Sequence, residues 1–312
     1  MKKEKRSLFN MIFGNKIQNM VNETTLKLLS GYNATYTDIS EDIDKNIIAK
    51  ECINAIAIHC AKMLPKHYQQ NGELKNYISG EINYIISVKP NPFMTTYDFI
   101  YKIMSLLLAQ NNEYIYIDID DKGYLRGLYP LNPLFCTLVE EENKVWLKFQ
   151  FIDGNIYYVE YSKIIHLRNF YNKHDFYGDT NQVLNNAIET QTVADDGIKN
   201  AIKISASLRG VLKAANAILK DKDIKSMKDN FIQSLLSSTD GIGSLDARMD
   251  FKEINLNPVL LEKEQLEMVN GNIYGYFMIS ENIIKSKYTA DEWNAFYESV
   301  LEPKAIQMGQ AF

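Results

Sequence analysis

Side chains that can exchange protons, hold metals or cradle phosphate are sparse in this chain, and few of them fall at useful spacing. The four histidines, His59, His67, His166 and His174, are scattered. His59 lies beside Cys60 in a stretch of helical periodicity, where it serves as a packed residue or as a lone ligand. Asp118, Asp120 and Asp121 form an acidic group that suits a hard cation and equally suits a solvated hairpin turn. Lys222, Lys225 and Lys228 recur at helical spacing and form a basic edge, which is a docking edge or a solvated face. No glycine is followed by lysine, so the phosphate-cradling loop of that class has no place to sit. Gly241-Ile242-Gly243 lacks the third glycine and the preceding core strand of a dinucleotide site. Neither a nucleophile elbow nor an H-E-x-x-H zinc motif occurs. The chain therefore reads as a non-enzyme with no cofactor and no metal.

The elements that must carry these residues come from an ordinary globular composition. The chain has 312 residues, 46% hydrophobic and 23% charged, which excludes a disordered tail, a collagen-like fibre and a disulfide-stapled miniprotein. That length allows roughly two domains. A net charge of −5 argues against a nucleic-acid coat. Cys52, Cys60 and Cys136 cannot all pair and show no C-x-x-C spacing, which favours a reducing compartment. Lys2, Lys3, Lys5 and Arg6 precede an apolar run like a signal peptide, but that run is short and broken by Asn10. No uncharged run approaches the roughly 18 residues a membrane span needs. The expectation is a soluble intracellular protein.

Periodicity places a helix over 43–63, ended by Leu64-Pro65, then a turn-rich stretch through Pro90-Asn91-Pro92. A second helix opens at Thr95 with Asp98 as capping partner. Alternation predicts strands over 113–119, 124–131, 145–151, 156–160 and 164–167, in one small antiparallel sheet. From 180 the chain turns helical to about 207. Gly197 costs that helix ~1 kcal/mol relative to alanine and so needs a reward. Ala187, Ala194 and Ala201 repeat every seven residues, a seam for close helix approach or merely good helix formers. A strand near 208–212, a helix over 223–236 and a strand near 250–255 follow. Asn257-Pro258 then starts another long helix, and a last helix begins near Thr289.

The order of these elements resembles the HK97-type portal protein family of tailed bacteriophages. The resemblance is carried by Val88-Lys89-Pro90-Asn91-Pro92-Phe93-Met94-Thr95, then Asn112-Glu113-Tyr114-Ile115-Tyr116-Ile117, then Leu128-Tyr129-Pro130-Leu131-Asn132-Pro133. Lys163-Ile164-Ile165-His166-Leu167-Arg168, Tyr177-Gly178 and Arg209-Gly210-Val211-Leu212 match the same family. It covers about residues 9–312. Two departures stand out. Family members usually carry glycine where Asn112 stands, and Gly-Ser-Pro where Gly178-Asp179-Thr180 stands. The family pattern also continues beyond the final helix, whereas this sequence stops at Phe312.

The resemblance implies an α+β, portal-like fold with a β-rich wing over 1–179 and stem helices over 180–207 and 258–279. They bracket a small α/β clip over 208–257, and a tunnel loop over 280–288 and a following helix over 289–312 complete the chain. It implies a homo-oligomeric ring, dodecameric in this family, at one capsid vertex of the virion, assembled in the host cytoplasm. Double-stranded DNA would pass through it without sequence preference, during packaging and ejection. Terminase, head-tail connector proteins, capsid and scaffold proteins would be its partners, with no membrane involved. Carried onto this chain, Lys285 and Lys287 of the tunnel loop face DNA, and Ala187, Ala194, Gly197 and Ala201 pack the stem. Lys222, Lys225 and Lys228 lie on the clip surface that faces terminase. Two other readings compete: a structural head-assembly protein with a portal-like core that forms no ring, and an enzyme with a site built from residues such as Asp118, Asp120 and His166.

Overall fold

The structure is a computed structural model that describes residues 27–28, 36–37, 43, 45–71, 74–141, 144–205, 210–214, 221–237, 249–253 and 262–312. Its chain divides into two compact units, 1–191 with 267–312, and 192–266.

The first unit opens with two short strands, β1 (Lys27–Leu28) and β2 (Tyr36–Thr37). Helix α1 (Ile47–Ala61) forms because Ala49, Cys52, Ile53, Ile56 and Cys60 recur on one face and are all buried. Asn46 caps it, its side chain accepting the Ala49 amide at 2.9 Å. Strands β3 (Tyr68–Asn71) and β4 (Leu74–Tyr77) then pair as a hairpin, followed by the short helix α2 (Glu81–Ser87). The sequence reads as turn-rich here because Tyr68, Gln69, Asn76 and Tyr77 are all exposed, so no alternation of burial marks the strands. Helix α3 (Thr96–Gln110) carries the expected capping box, with Thr95 and Asp98 exchanging side-chain to backbone bonds at 3.2 Å each. It packs on α1, and Ile103, Met104 and Leu107 are fully buried with Ile56 and Cys60.

Six antiparallel strands follow: β5 (Asn112–Ile119), β6 (Leu125–Leu131), β7 (Phe135–Glu141), β8 (Lys144–Gln150), β9 (Ile156–Glu160) and β10 (Ile164–Arg168). They make two sheets instead of the single one expected: a three-stranded sheet in the order β10-β5-β6, and one in the order β1-β7-β8-β9 with β2 also paired to β7. The chain changes sheet after β6 at Asn132-Pro133, where proline has no amide for a ladder, and again through the short turn Tyr161–Lys163. Strand β5 is buried on both faces. Ile115 joins the helical core of α1 and α3, whereas Tyr114 and Tyr116 join a second core with Phe149, Phe151 and Tyr157. The two proline-rich sequence blocks meet directly: Asn91 Nδ2 donates to the Leu128 carbonyl at 2.8 Å, and the Leu128 amide donates to the Pro90 carbonyl at 2.9 Å.

Helix α4 (Gln182–Ser205) runs from the first unit into the second. The second unit also holds β11 (Gly210–Ala214), α5 (Asp221–Ser237) and β12 (Met249–Glu253), with β11 antiparallel to β12 and Gly210 opposite Glu253. Helix α6 (Lys263–Tyr276) returns to the first unit; the Asn257-Pro258 helix start lies outside the described residues. Helices α7 (Glu281–Ile284) and α8 (Ala290–Phe296) follow, and α8 passes through a π turn, Tyr297–Leu301, into α9 (Glu302–Ala311). Pro303 lacks the amide that a regular ladder needs, and the widened turn sits directly before it.

Candidate functional site

Where α3 ends, α4 begins and α6 ends, the first unit is tied together by a cluster of hydrogen bonds. Helix α3 terminates at Asn111, which adopts a left-handed φ of 58° that asparagine tolerates better than most residues. Its side chain is fully buried. Its amide nitrogen donates to the Asp179 carbonyl at 2.9 Å, to Asn181 Oδ1, and to Tyr276 Oη at 3.2 Å. Tyr276 in turn donates to Asn181 Oδ1 at 2.6 Å, and Asn181 donates to the Ala109 carbonyl at the end of α3. The residue just before α4 and the last residue of α6 are therefore joined by one hydrogen bond.

Next to this knot, Asn112 Oδ1 accepts the Gly178 amide at 2.8 Å and stands 3.1 Å from His166 Nε2. Burial first, and then the Arg168 charge, lowers the His166 pKa to about 3, so the ring is neutral and Nε2–H is the donor. Gly178 is obligatory on contact grounds, since an added Cβ would lie 2.3 Å from the Asn111 carbonyl oxygen and 2.4 Å from that of Asn169. Helix α9 reaches the same place: Lys304 Nζ donates to Asn169 Oδ1 at 2.7 Å and Gln307 donates to the Arg168 carbonyl at 2.6 Å.

The segment 280–288, expected as a loop, is ordered by local bonds. Ser280 caps α7, and Lys285 pairs with Glu281 at 2.6 Å. Ser286 takes a φ of 56°, and Tyr288 stacks on Trp293, ring centroids 5.3 Å apart. Trp293 meets His59 of α1 edge-on at 4.8 Å. Both lysines singled out from the sequence are exposed; Lys285 is ion-paired within its own turn, and Lys287 makes no ion pair among the described residues.

On α4, Ala194 and Ala201 are buried and Ala187 packs beside the helical core. Gly197 differs: it is exposed, with nothing within 4 Å of an added Cβ, so no close approach within the described chain rewards it. Lys222, Lys225 and Lys228 are exposed on α5. Asp120 closes the β5–β6 turn by accepting the Lys122 and Tyr124 amides at 2.9 Å each, and no metal-ligating group of three or more side chains occurs among the described residues. Cys52, Cys60 and Cys136 are free and buried, and burial pushes their thiols up to about 12, 11 and 12. The sequence missed Asn111, Asn181 and Tyr276. Asparagines signal turns, and nothing in their spacing, 70 and 95 residues apart, shows that they meet.

An α+β body built around a strand buried on both faces, with helices α4 and α6 rooted at one point and a strand-helix-strand insertion between them in sequence, is a portal-type fold. It is similar to the neck of the native gene transfer agent particle computed with C12 symmetry, at a TM-score of 0.68 and 16% identity over 90% of this chain and 82% of that one. The neck of the empty particle computed with C6 symmetry gives 0.69 and 16% over 91% and 81%. An HK97 family phage portal protein from Corynebacterium diphtheriae gives 0.51 and 14% over 86% of each chain. No curated protein sequence matches. The phage portal protein family matches residues 48–312, and the chain belongs to that family. It is a family of structural proteins and not of enzymes, and the HK97-type resemblance read in the sequence is borne out. Among the described residues no helix is long and apolar enough to cross a membrane.

Proposed function

We propose that this protein forms the ring-shaped channel at a capsid vertex through which double-stranded DNA is packaged and ejected, with twelve copies in the ring. The observation that carries the reading is the bond between Tyr276 and Asn181, which roots both long helices at one point of the body. A paired stem requires that arrangement. Residues 280–288 are the tunnel loop in this reading, and 208–257 the clip.

A channel for a polyanion has to hold it loosely, because each lysine paired to a phosphate releases counterions and adds affinity. The loop carries Lys285, Lys287 and Glu281, a net charge of +1 per chain. With Lys285 held by Glu281, Lys287 supplies the belt, about twelve positive charges in the ring. That is enough for transient contact along the duplex. The exposed face of α4 at Gly197 is where a neighbouring stem fits, and Lys222, Lys225 and Lys228 offer α5 to terminase. The head-tail connector docks on the same ring, capsid and scaffold proteins surround it, and it resides in the virion after assembly in the host cytoplasm.

Electron microscopy of the purified protein tests the ring: twelve-fold annuli are expected, and particles that stay monomeric under all conditions would favour a head-assembly protein that forms no ring. Replacing Lys285 and Lys287 by alanine is expected to reduce the salt sensitivity of DNA held in the ring. Unchanged packaging and salt response would remove both lysines from the mechanism. Charge reversal at Lys222, Lys225 and Lys228 is expected to weaken terminase binding; normal binding dismisses that contact.

A further inference from the structure

Asn111 spends every polar group it has inside the protein. Its amide donates to the Leu107 carbonyl at 2.8 Å, ending α3, and its carbonyl accepts the Asn169 amide at 2.8 Å. Its Oδ1 accepts from Asn169 Nδ2 at 3.2 Å, while its Nδ2 divides two hydrogens among Asp179, Asn181 and Tyr276. Asn169 is the residue gripped by Lys304. The excursion 277–303 is thus pinned at both ends to one pair of asparagines, by Tyr276 before it and by Lys304 after it. Helices α4 and α6 share the same pin at Asn181 and Tyr276.

We propose that the Asn111 side chain is a positioning device, a shared tether that makes the start of α4, the end of α6 and helix α9 open and close as one unit. Packing alone would let each of the three fray by itself, since helix ends are ordinarily the least protected parts of a fold. A buried polar network in which every member is satisfied couples its members, because loss of one bond leaves the rest unpaired in a low dielectric. The tether reaches the two flanks of 280–288, so the position of that segment is set from the same residue.

Hydrogen–deuterium exchange on the full-length protein tests this with Asn111→Gly. Glycine accepts the left-handed backbone, so the variant removes the side chain and leaves the helix ending intact. Amides in 182–188, 270–277 and 304–309 are expected to exchange about tenfold faster, all three together, while 52–60 and 100–107 keep their protection. A rise confined to one of the three segments, or spread equally over all five, overturns the proposal. Tyr276→Phe removes a single arm and decides the matter if the glycine variant does not fold. It is expected to speed 182–188, 270–277 and 304–309 together, by less than the glycine variant, and a rise in 270–277 alone, or in none, defeats the shared tether.

Discussion

Replacing Gly178 by alanine tests how tightly the chain crossings at the helix roots are packed. No positive φ is involved, so the perturbation is a single methyl group placed between two backbone carbonyls. That methyl would stand 2.3 Å from Asn111 O and 2.4 Å from Asn169 O, where ordinary contact begins at 3.4 Å. Both obstacles are main chain, so neither can swing aside as a side chain does, and the strands must part by about 1 Å. Three buried bonds sit across that gap: Asn169 N to Asn111 O at 2.8 Å, Gly178 N to Asn112 Oδ1 at 2.8 Å, and Asn112 Nδ2 to Gly178 O at 3.3 Å. At about 1 kcal/mol net for each, their loss costs about 3 kcal/mol. In a chain of 312 residues, at about 2.1 cal/mol/K of unfolding entropy per residue, that lowers the melting temperature by roughly 5 °C. Gly271→Ala is the control, because α6 leaves open space there and the change should gain up to about 1 kcal/mol of helix propensity. Thermal or urea unfolding of the two variants beside the parent measures the contrast. If Gly178→Ala lies within about 1 kcal/mol of the parent, the crossing is slack and the packing account of Gly178 is wrong.

Acid should weaken the fold through His166. Its folded pKa, about 3, lies below the ordinary 6.5, so the unfolded chain takes up a proton that the native ring refuses. Stability is therefore lost as pH falls from 6.5 toward 3. Between pH 6.5 and 5 the loss is up to about 2 kcal/mol at 1.36 kcal/mol per unit, and about half that once the partly exposed ring is discounted for solvent. His166→Gln should flatten this part of the stability–pH curve, and parallel curves would remove the ring from the account. Glu113 has the opposite sign: burial raises its pKa well above the ordinary value, so its charged form opposes folding and stability falls as pH rises above about 4.5. Glu113→Gln should stabilise the protein at pH 8 and lose that gain toward pH 4, with equal gains at both pH values refuting it. Ala194 is buried within its own chain, so Ala194→Leu should cost about 1–3 kcal/mol of folding stability. Gly197→Leu, at an exposed position, should spare the fold and shrink the oligomer seen by native mass spectrometry; an intact oligomer would clear that face of any role in stem contact.

Local rules carry much of this fold. The Thr95 and Asp98 box, the Ile115 and Tyr114 alternation and the spacing of Cys52, Ile56 and Cys60 each act over a few residues, so each is legible in the sequence. Phe135–Glu141 was missed because its alternation is blurred by two adjacent buried residues, Leu138 and Val139. The hairpin at 68–77 was missed for the reverse reason, that Tyr68, Gln69, Asn76 and Tyr77 are all exposed and leave no pattern. Splitting of the strands into two sheets depends on which partner β10 chooses. His166 opposite Tyr114 decides it, a pairing 52 residues apart that no window of periodicity contains.

The helix roots are illegible for a deeper reason. Periodicity reports burial of apolar side chains, and the junction is made of asparagines whose value lies in bonds to distant backbone. Asn112 looked like a departure from a pattern that has glycine there, yet its side chain occupies space against Gly178 and joins that residue to His166. The IIHLR block and the Tyr177-Gly178 pair bracket a loop that returns to the same asparagines: Asp179 N bonds Phe170 O at 3.1 Å, and Asn169 N bonds Asn111 O at 2.8 Å. The 112–117, IIHLR and Tyr177-Gly178 motifs are thus the sequence trace of one three-dimensional contact, while the 88–95 and 128–133 blocks form another between themselves. At that contact Asn111, Asn181 and Tyr276 hold the start of α4 and the end of α6 to one body.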